Sequence, residues 1–333
     1  MDLQRAWLRR GALAWSLLPL AGLYRGLGAL HRGLYRAGLL RPERLPVPVV
    51  VVGNVVAGGA GKTPVVIAVI EHLRSQGLKP GVISRGYGRS GSDCRLVTPH
   101  STSSQVGDEP LLIARRCQVP VAVAPGRADA ARLLLRAHPH TQILVSDDGL
   151  QHPALARDLE ICVFDERGTG NGWPIPAGPL REAWPRPADL VLRPAGLDID
   201  AAAPAFDIAR GLAPEAVRAD GTRRRLSDLA GERVVAVAGI ARPEAFFRML
   251  EAAGVAAAHT RALADHHDFE THPVPLPGDM AVVCTEKDAV KLWHLRPDAW
   301  AVPLHVQIAP AFWPAFDRLL AAKLSSNDGS QTA

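Results

Sequence analysis

Lysine is scarce in this 333-residue chain: of 38 basic residues only Lys62, Lys79, Lys287, Lys291 and Lys323 are lysine. That bias fits base composition, but it makes Lys62 more notable. Cysteine is scarcer. Cys94, Cys117, Cys162 and Cys284 lie far apart with no C-x-x-C pair, which argues against a zinc site and against a disulfide framework, and fits a reducing compartment. Cys162 and Cys284 sit in apolar runs and read as core residues. There is no internal repeat, no low-complexity region, and no interleaving of basic and aromatic residues of the kind single-strand nucleic-acid binders use. No apolar run reaches the roughly 18 residues that span a bilayer. What remains is a globular composition, 47% hydrophobic and 21% charged, long enough for two domains. The net charge of +5 suits an anionic partner without choosing among nucleotide, lipid surface and nucleic acid.

The longest uncharged stretch near the start is "GALAWSLLPLAGLY", preceded by Arg5, Arg9 and Arg10 and closed by Arg25. It lacks a convincing cleavage site, and the arginines that follow oppose export. Leu23, Leu27, Leu30 and Leu34 share one helical stripe, and Arg25, Arg32 and Arg36 share nearly the opposite one. Residues 1–40 are therefore expected to form an amphipathic, membrane-associating N-terminal helix. Leucines packed on the chain's own domain are the plainer alternative.

From residue 41 apolar strands alternate with helices: "PVPVVVVGN", "KTPVVIAVIEHLRSQG", "KPGVIS", "GDEPLLIARRC", "VPVAVA", "GRADAARLLLRAH", "TQILVS", "LEICVFD" and "ADLVLR". This rhythm predicts an α/β fold with a parallel sheet over 41–193. Residues 194–230 break it and read as a linker, with Asp220-Gly221 as a hairpin turn. The alternation resumes over 231–323 as a second, smaller α/β domain, and 324–333 reads as a disordered tail.

The stretch "VVGNVVAGGAGKTPVV" runs from strand into glycine-rich turn into helix, the context of a phosphate loop. The first glycine of the strict pattern is replaced by Val56; Gly58 and Gly59 supply freedom instead, and Gly61-Lys62-Thr63 is intact. The expected nucleotide cradle is Val56, Ala57, Gly58, Gly59, Ala60, Gly61, Lys62 and Thr63, with Lys62 on the terminal phosphates and the Thr63 hydroxyl on magnesium. A second strand ends in Asp147 and Asp148, the carboxylates expected beside that magnesium. No N-K-x-D guanine reader occurs, which favours ATP.

Further polar clusters follow strand ends: "SRGYGR", "VGDEP" with Asp108 and Glu109, "GLQH" with Gln151 and His152, "GPLRE" with Arg181, "DHHDF" and "TEKDAVK". Singly each has a bland reading; Thr285 and Asp288, for instance, make a capping box. Seven motifs in this order make the chain resemble the tetraacyldisaccharide 4′-kinase family, the lipid A 4′-kinases of Gram-negative bacteria, over about residues 10 to 320. That family's loop also lacks the first glycine, and no position that would carry chemistry departs from its pattern. The resemblance implies two α/β/α domains joined by a two-stranded linker, with ATP in the cleft. It implies phosphorylation of the 4′-hydroxyl of a tetraacylated glucosamine disaccharide 1-phosphate, giving lipid IVA, at the cytoplasmic face of the inner membrane. It implies Asp108 as base toward the acceptor, His266 pairing with Asp108 once the second domain closes over the first, and Lys62 on the transferring phosphate. Thr63 and Asp148 would hold magnesium with Asp147 adjacent, Arg181 would steady charge, and Glu109, Gln151 and His152 would support. The competing classes are a membrane-docked ATPase or switch, which needs no acceptor base, and a nucleic-acid ATPase, suggested only by the charge.

Overall fold

The computed structural model describes residues 7–328; Arg5 and tail residues 329–333 lie outside them. The chain divides into two compact units. The first holds the residues up to Arg85, Val119–Ala209 and those from Gln307 on; the second holds Gly86–Gln118 and Arg210–Val306.

In the first unit a parallel sheet runs in the order Ala205–Leu212, Leu190–Pro194, Leu159–Val163, Val49–Gly53, Ile143–Asp147, Pro80–Ser84, Val121–Val123. The run of valines at 49–52 is buried on both faces, as expected of a central parallel strand. Helix Lys62–Ser75 buries Val65, Val66, Ile67, Val69, Ile70 and Leu73. Each such side chain contributes about 1.5–3 kcal/mol when fully buried. Gly53 is required by packing, because a Cβ there would lie 2.6 Å from Leu150 Cγ. Strand Val49–Gly53 has later-sequence neighbours on both sides, so loops at its carboxyl end lie at the sheet's switch point.

The second unit has a six-stranded sheet in the order Arg223–Arg225, Glu215–Val217, Trp300–Val302, Ala281–Thr285, Val234–Ala238, Ala257–Ala262. Side chains alternate across it: Val234, Ala236 and Ala238 join Phe246 and Leu250 on one side, and Val235 and Val237 join Phe269, Cys284 and Leu292 on the other.

Several expectations change. Residues 86–118 belong to the second unit rather than to a continuous domain over 41–193. Within the expected linker, Glu215–Val217 and Arg223–Arg225 form a two-stranded ribbon that turns at Gly221, φ +83°, where the sequence placed a hairpin turn; what differs is that the ribbon is part of the second sheet. Two neighbouring strands, Ala205–Leu212 and Leu304–Ile308, cross the boundary between units. The apolar stretch 299–308, which reads from the sequence as one strand, is two, Trp300–Val302 and Leu304–Ile308, separated at Pro303. The last helix, Phe312–Asp328, extends into what read as a disordered tail.

At the start, helices Ala12–Ser16 and Leu18–Arg36 follow one another. Trp7 Nε1 donates to Pro176 O at 2.9 Å, Trp15 packs edge-on against Trp173, and Tyr24 Oη donates to Arg181 O at 3.0 Å. Of the long helix only Ala21 is buried; Leu23, Leu27 and Leu30 are 60%, 60% and 63% exposed. Those three leucines are mostly exposed, whereas Leu34, the fourth of the expected stripe, is half-buried.

Candidate active site

Two polar clusters form, one within each unit. In the first unit the phosphate-loop segment leaves strand Val49–Gly53 and enters helix Lys62–Ser75 through Gly61, which takes φ +66°, ψ +40°. Gly58 takes φ +92°. Positive φ of this kind favours glycine and permits the sharp turn from strand into helix that a phosphate-binding helix N-terminus requires.

The missing glycine has a structural cause. Val56 is 2% exposed and bridges antiparallel to Leu180. Ala57 N–H donates to Pro179 O at 2.7 Å, and Arg181 N–H donates to Val55 O at 2.8 Å. The first half of the loop is thus a short strand with a side chain in the core. Arg167 Nη1 occupies Ala57 O at 3.1 Å. Of the expected cradle residues, Ala57 therefore has its N–H already bonded within the chain.

Lys62 Nζ reaches Asn54 Oδ1 at 3.2 Å and Asp148 Oδ1 at 3.5 Å. Arg181 Nη1 donates to both Asp148 oxygens, at 3.0 and 2.9 Å. Burial pushes the Asp148 carboxyl up, but Lys62, Arg181 and Arg127 together hold it below the usual carboxylate range. Asp148 itself has φ +54°, a strained conformation for a residue without glycine's freedom. Buried Arg127 steadies it by donating from Nη2 to Asp147 O at 3.2 Å and Asp148 O at 2.8 Å. Asp147 ends its strand in register with Val52, and its side chain is buried. Thr63, second residue of its helix, is half-buried.

Gln151 Nε2 donates to Asn54 O at 3.0 Å and Glu182 Oε1 at 2.7 Å. His152 Nε2 accepts from Arg127 N–H at 3.3 Å; burial, then Arg127, Arg157 and Arg85, lower its basicity. Both are braces of this cluster. Asn54, Arg127 and Glu182 were not singled out from the sequence, although Asn54 stands inside the "VGN" that was.

In the second unit Asp108 opens helix Asp108–Cys117 behind Gly107, which has φ +93°. Gly107 has no room for a side chain: a Cβ would lie 2.9 Å from Tyr87 O and 3.1 Å from Gly86 Cα. Asp108 Oδ2 meets His266 Nδ1 at 3.0 Å and accepts from Lys291 Nζ at 2.9 Å. Burial pushes this carboxyl up; the His266 hydrogen bond and the Lys291 charge outweigh it and hold it below the usual range. Lys287 Nζ lies 3.2 Å from His266 Nε2, 3.2 Å from Asp265 Oδ1 and 3.5 Å from Glu109 Oε1. The pairing of Asp108 with His266 was expected to require closure of one domain on the other. Both residues belong to the same unit, so it requires none. Lys287 and Lys291 were the missed residues here; their motif was quoted, but only its cap was read.

A carboxylate held ionised beside an imidazole can accept a proton from a hydroxyl. A lysine and helix amides next to an ionised aspartate can receive a polyphosphate. Comparison with known proteins agrees. The family described as Tetraacyldisaccharide-1-P 4′-kinase, LpxK, matches residues 13–324. The tetraacyldisaccharide 4′-kinase of Acidovorax ebreus (strain TPSY) is 59% identical over 324 residues, covering 97% of this chain and 96% of the relative. That of Delftia acidovorans is 52% identical over 321 residues, covering 96% and 95%. A crystal structure of LpxK from Aquifex aeolicus, described as an "apo" form in complex with ATP, superposes with a TM-score of 0.81 at 26% identity, covering 92% of this chain and 99% of that one. The chain therefore belongs to the tetraacyldisaccharide-1-P 4′-kinase family.

Proposed function

We propose that this chain transfers the γ-phosphoryl group of ATP to the 4′-hydroxyl of a tetraacylated glucosamine disaccharide 1-phosphate, giving lipid IVA and ADP. The observation that carries the reading is Gly61-Lys62-Thr63 opening a helix beside an ionised Asp148, in a chain of this family. Phosphoryl transfer has a loose transition state, so positioning and charge do most of the work.

Lys62 moves from Asp148 to the transferring phosphate, and Arg181 steadies the charge that develops there. Asp108 takes the proton of the acceptor hydroxyl, with His266 orienting its carboxylate. A hydroxyl and carboxylate oxygens are the hard donors magnesium takes, and it needs only one or two carboxylates besides the phosphates. No group of three or more His, Cys, Asp and Glu fit for a metal stands among the described residues. Thr63 and Asp148 would hold the ion, with Asp147 adjacent, and bound there it would neutralise charge on the phosphate oxygens.

No helix among the described residues is long and apolar enough to cross a membrane. The exposed leucine face of Leu18–Arg36 and its arginines support a helix lying in the interface, at the cytoplasmic face of the inner membrane. The substitutions Leu23→Gln, Leu27→Gln and Leu30→Gln together should lower partition onto anionic vesicles more than tenfold, at about 1.5–3 kcal/mol per fully buried leucine. Unchanged partition in a sedimentation assay counts against the interfacial helix.

The central test follows labelled γ-phosphate from ATP to the tetraacylated acceptor in detergent. Label on the lipid, lost in Lys62→Ala, supports the reading. ATP hydrolysis without acceptor and no labelled lipid would restore the membrane-docked ATPase.

A further inference from the structure

We propose that Lys287 and Lys291, four residues apart on helix Glu286–Leu292, are positioning residues that fix the Asp108–His266 pair in one protonation arrangement: carboxylate ionised, imidazole neutral with its proton on Nδ1. The inference rests on Asp108 being the base of the proposed reaction.

An ammonium group has three donors and no acceptor. Lys287 Nζ lies 3.2 Å from His266 Nε2. Burial weakens the Lys287 ammonium, but Glu109, Asp265 and Asp108 outweigh it and keep the group protonated. Nε2 must then present its lone pair, which leaves the ring proton on Nδ1, donated to Asp108 Oδ2 at 3.0 Å. Lys291, 8% exposed, donates to the same oxygen at 2.9 Å. The groups facing His266 are Asp108, Lys287, Asp265 at 3.9 Å and the Tyr87 ring at 5.1 Å. The His266 backbone takes φ +61°, in the left-handed region.

Both donors converge on Oδ2, so Oδ1 is the oxygen that meets the acceptor. As the 4′-oxygen bonds to the γ-phosphorus and the bond to the β-bridging oxygen of ATP breaks, the hydroxyl proton passes to Oδ1 and later to solvent. His266 Nδ1 already carries its proton and cannot receive a second one there. His266 thus orients the base and does not relay the proton.

The first readout is the two-bond 1H–15N spectrum of the labelled full-length protein in detergent, with the His266 signals identified by their loss in His266→Asn. The expected pattern is a protonated Nδ1 and an unprotonated Nε2, altered in Lys287→Met and restored in Lys287→Arg. A proton on Nε2 in the wild type, or no change in Lys287→Met, overturns the inference. In turnover, Lys287→Met should lose up to about a hundredfold in kcat, the scale of a misplaced catalytic group, with KM for ATP unchanged. Lys291→Met should move the acid limb of the kcat profile upward by about one pH unit, because an opposite charge has been taken from Asp108. A folded Lys291→Met with an unmoved acid limb makes that lysine merely structural. His266→Asn, which keeps a donor near Nδ1, should retain more activity than His266→Ala; equal loss restores a relay. If Asp108→Asn keeps wild-type turnover, the base assignment fails, while the wild-type spectrum still reports on the lysines.

Discussion

Asp148 and Asp108 are both carboxylates that burial would protonate and that neighbouring cations keep charged, yet the two clusters are built differently. Around Asp148 the cations reach both oxygens and stay within reach of solvent: its side chain is 32% exposed, Arg181 26% and Lys62 13%. Around Asp108 the cation and the imidazole converge on one oxygen, and Asp108 and Lys291 are each 8% exposed. The first arrangement suits cations that must leave their carboxylate for a phosphate. The second suits a carboxylate that must keep one oxygen oriented while the other reacts. A buried pair broken on one side costs far more than an exposed one, so the second cluster has less freedom to rearrange.

The sharpest way to break this contrast is Asp108→Asn. It keeps the shape and removes the base, so kcat should fall by about 10²–10⁴, with the dissociation constant for ATP unchanged by calorimetry. A parallel loss of ATP affinity would mean that the two clusters are not functionally separate. A middle-sized effect should come from Val56→Gly, which writes the standard glycine into the loop. The lost burial and the added chain entropy should cost about 2–4 kcal/mol of stability, measured by denaturant unfolding, with no gain in ATP affinity. Tighter ATP binding would mean that the valine is a compromise rather than a strand residue. The smallest effect concerns acid. Both carboxyls lie below their unfolded values, so each contributes stability that is present above about pH 4 and lost as pH falls through the folded value. Asp148→Asn should flatten the acid limb of unfolding less than Asp108→Asn does, because solvent screens the more exposed pair. The reverse order would count against the sealed character of the Asp108 cluster.

The alternation of strands and helices, the glycine-rich turn and the paired aspartates were legible because each is local. A strand's burial, a left-handed glycine and a helix start are decided by a few consecutive residues. The capping of helix Glu286–Leu292 was legible for the same reason, with Thr285 Oγ1 accepting from Asp288 N–H at 3.1 Å. What stayed hidden depends on distant partners. Val56 is buried because Leu180 pairs with it. The helix of Asp108 joins the second unit through contacts such as Arg116 to Glu286, at 2.7 Å and 170 residues apart. Arg127 read only as part of a helix, since nothing nearby says that its guanidinium will hold the carbonyls of Asp147 and Asp148. Lys287 and Lys291 were hidden behind a cap motif that explains their neighbours but not them.

The pairing of residues 55–57 with 179–181 has a further consequence. Its two rungs, Ala57 N–H to Pro179 O and Arg181 N–H to Val55 O, index the arginine to the nucleotide loop as teeth index one gear to another. Side chains on a paired strand alternate faces, so a shift by a single residue reverses them all. One residue inserted between Pro174 and Leu180 would therefore turn Arg181 away from Asp148 without touching any residue of the loop. The length of that connection is as much a part of the site as the side chains it delivers.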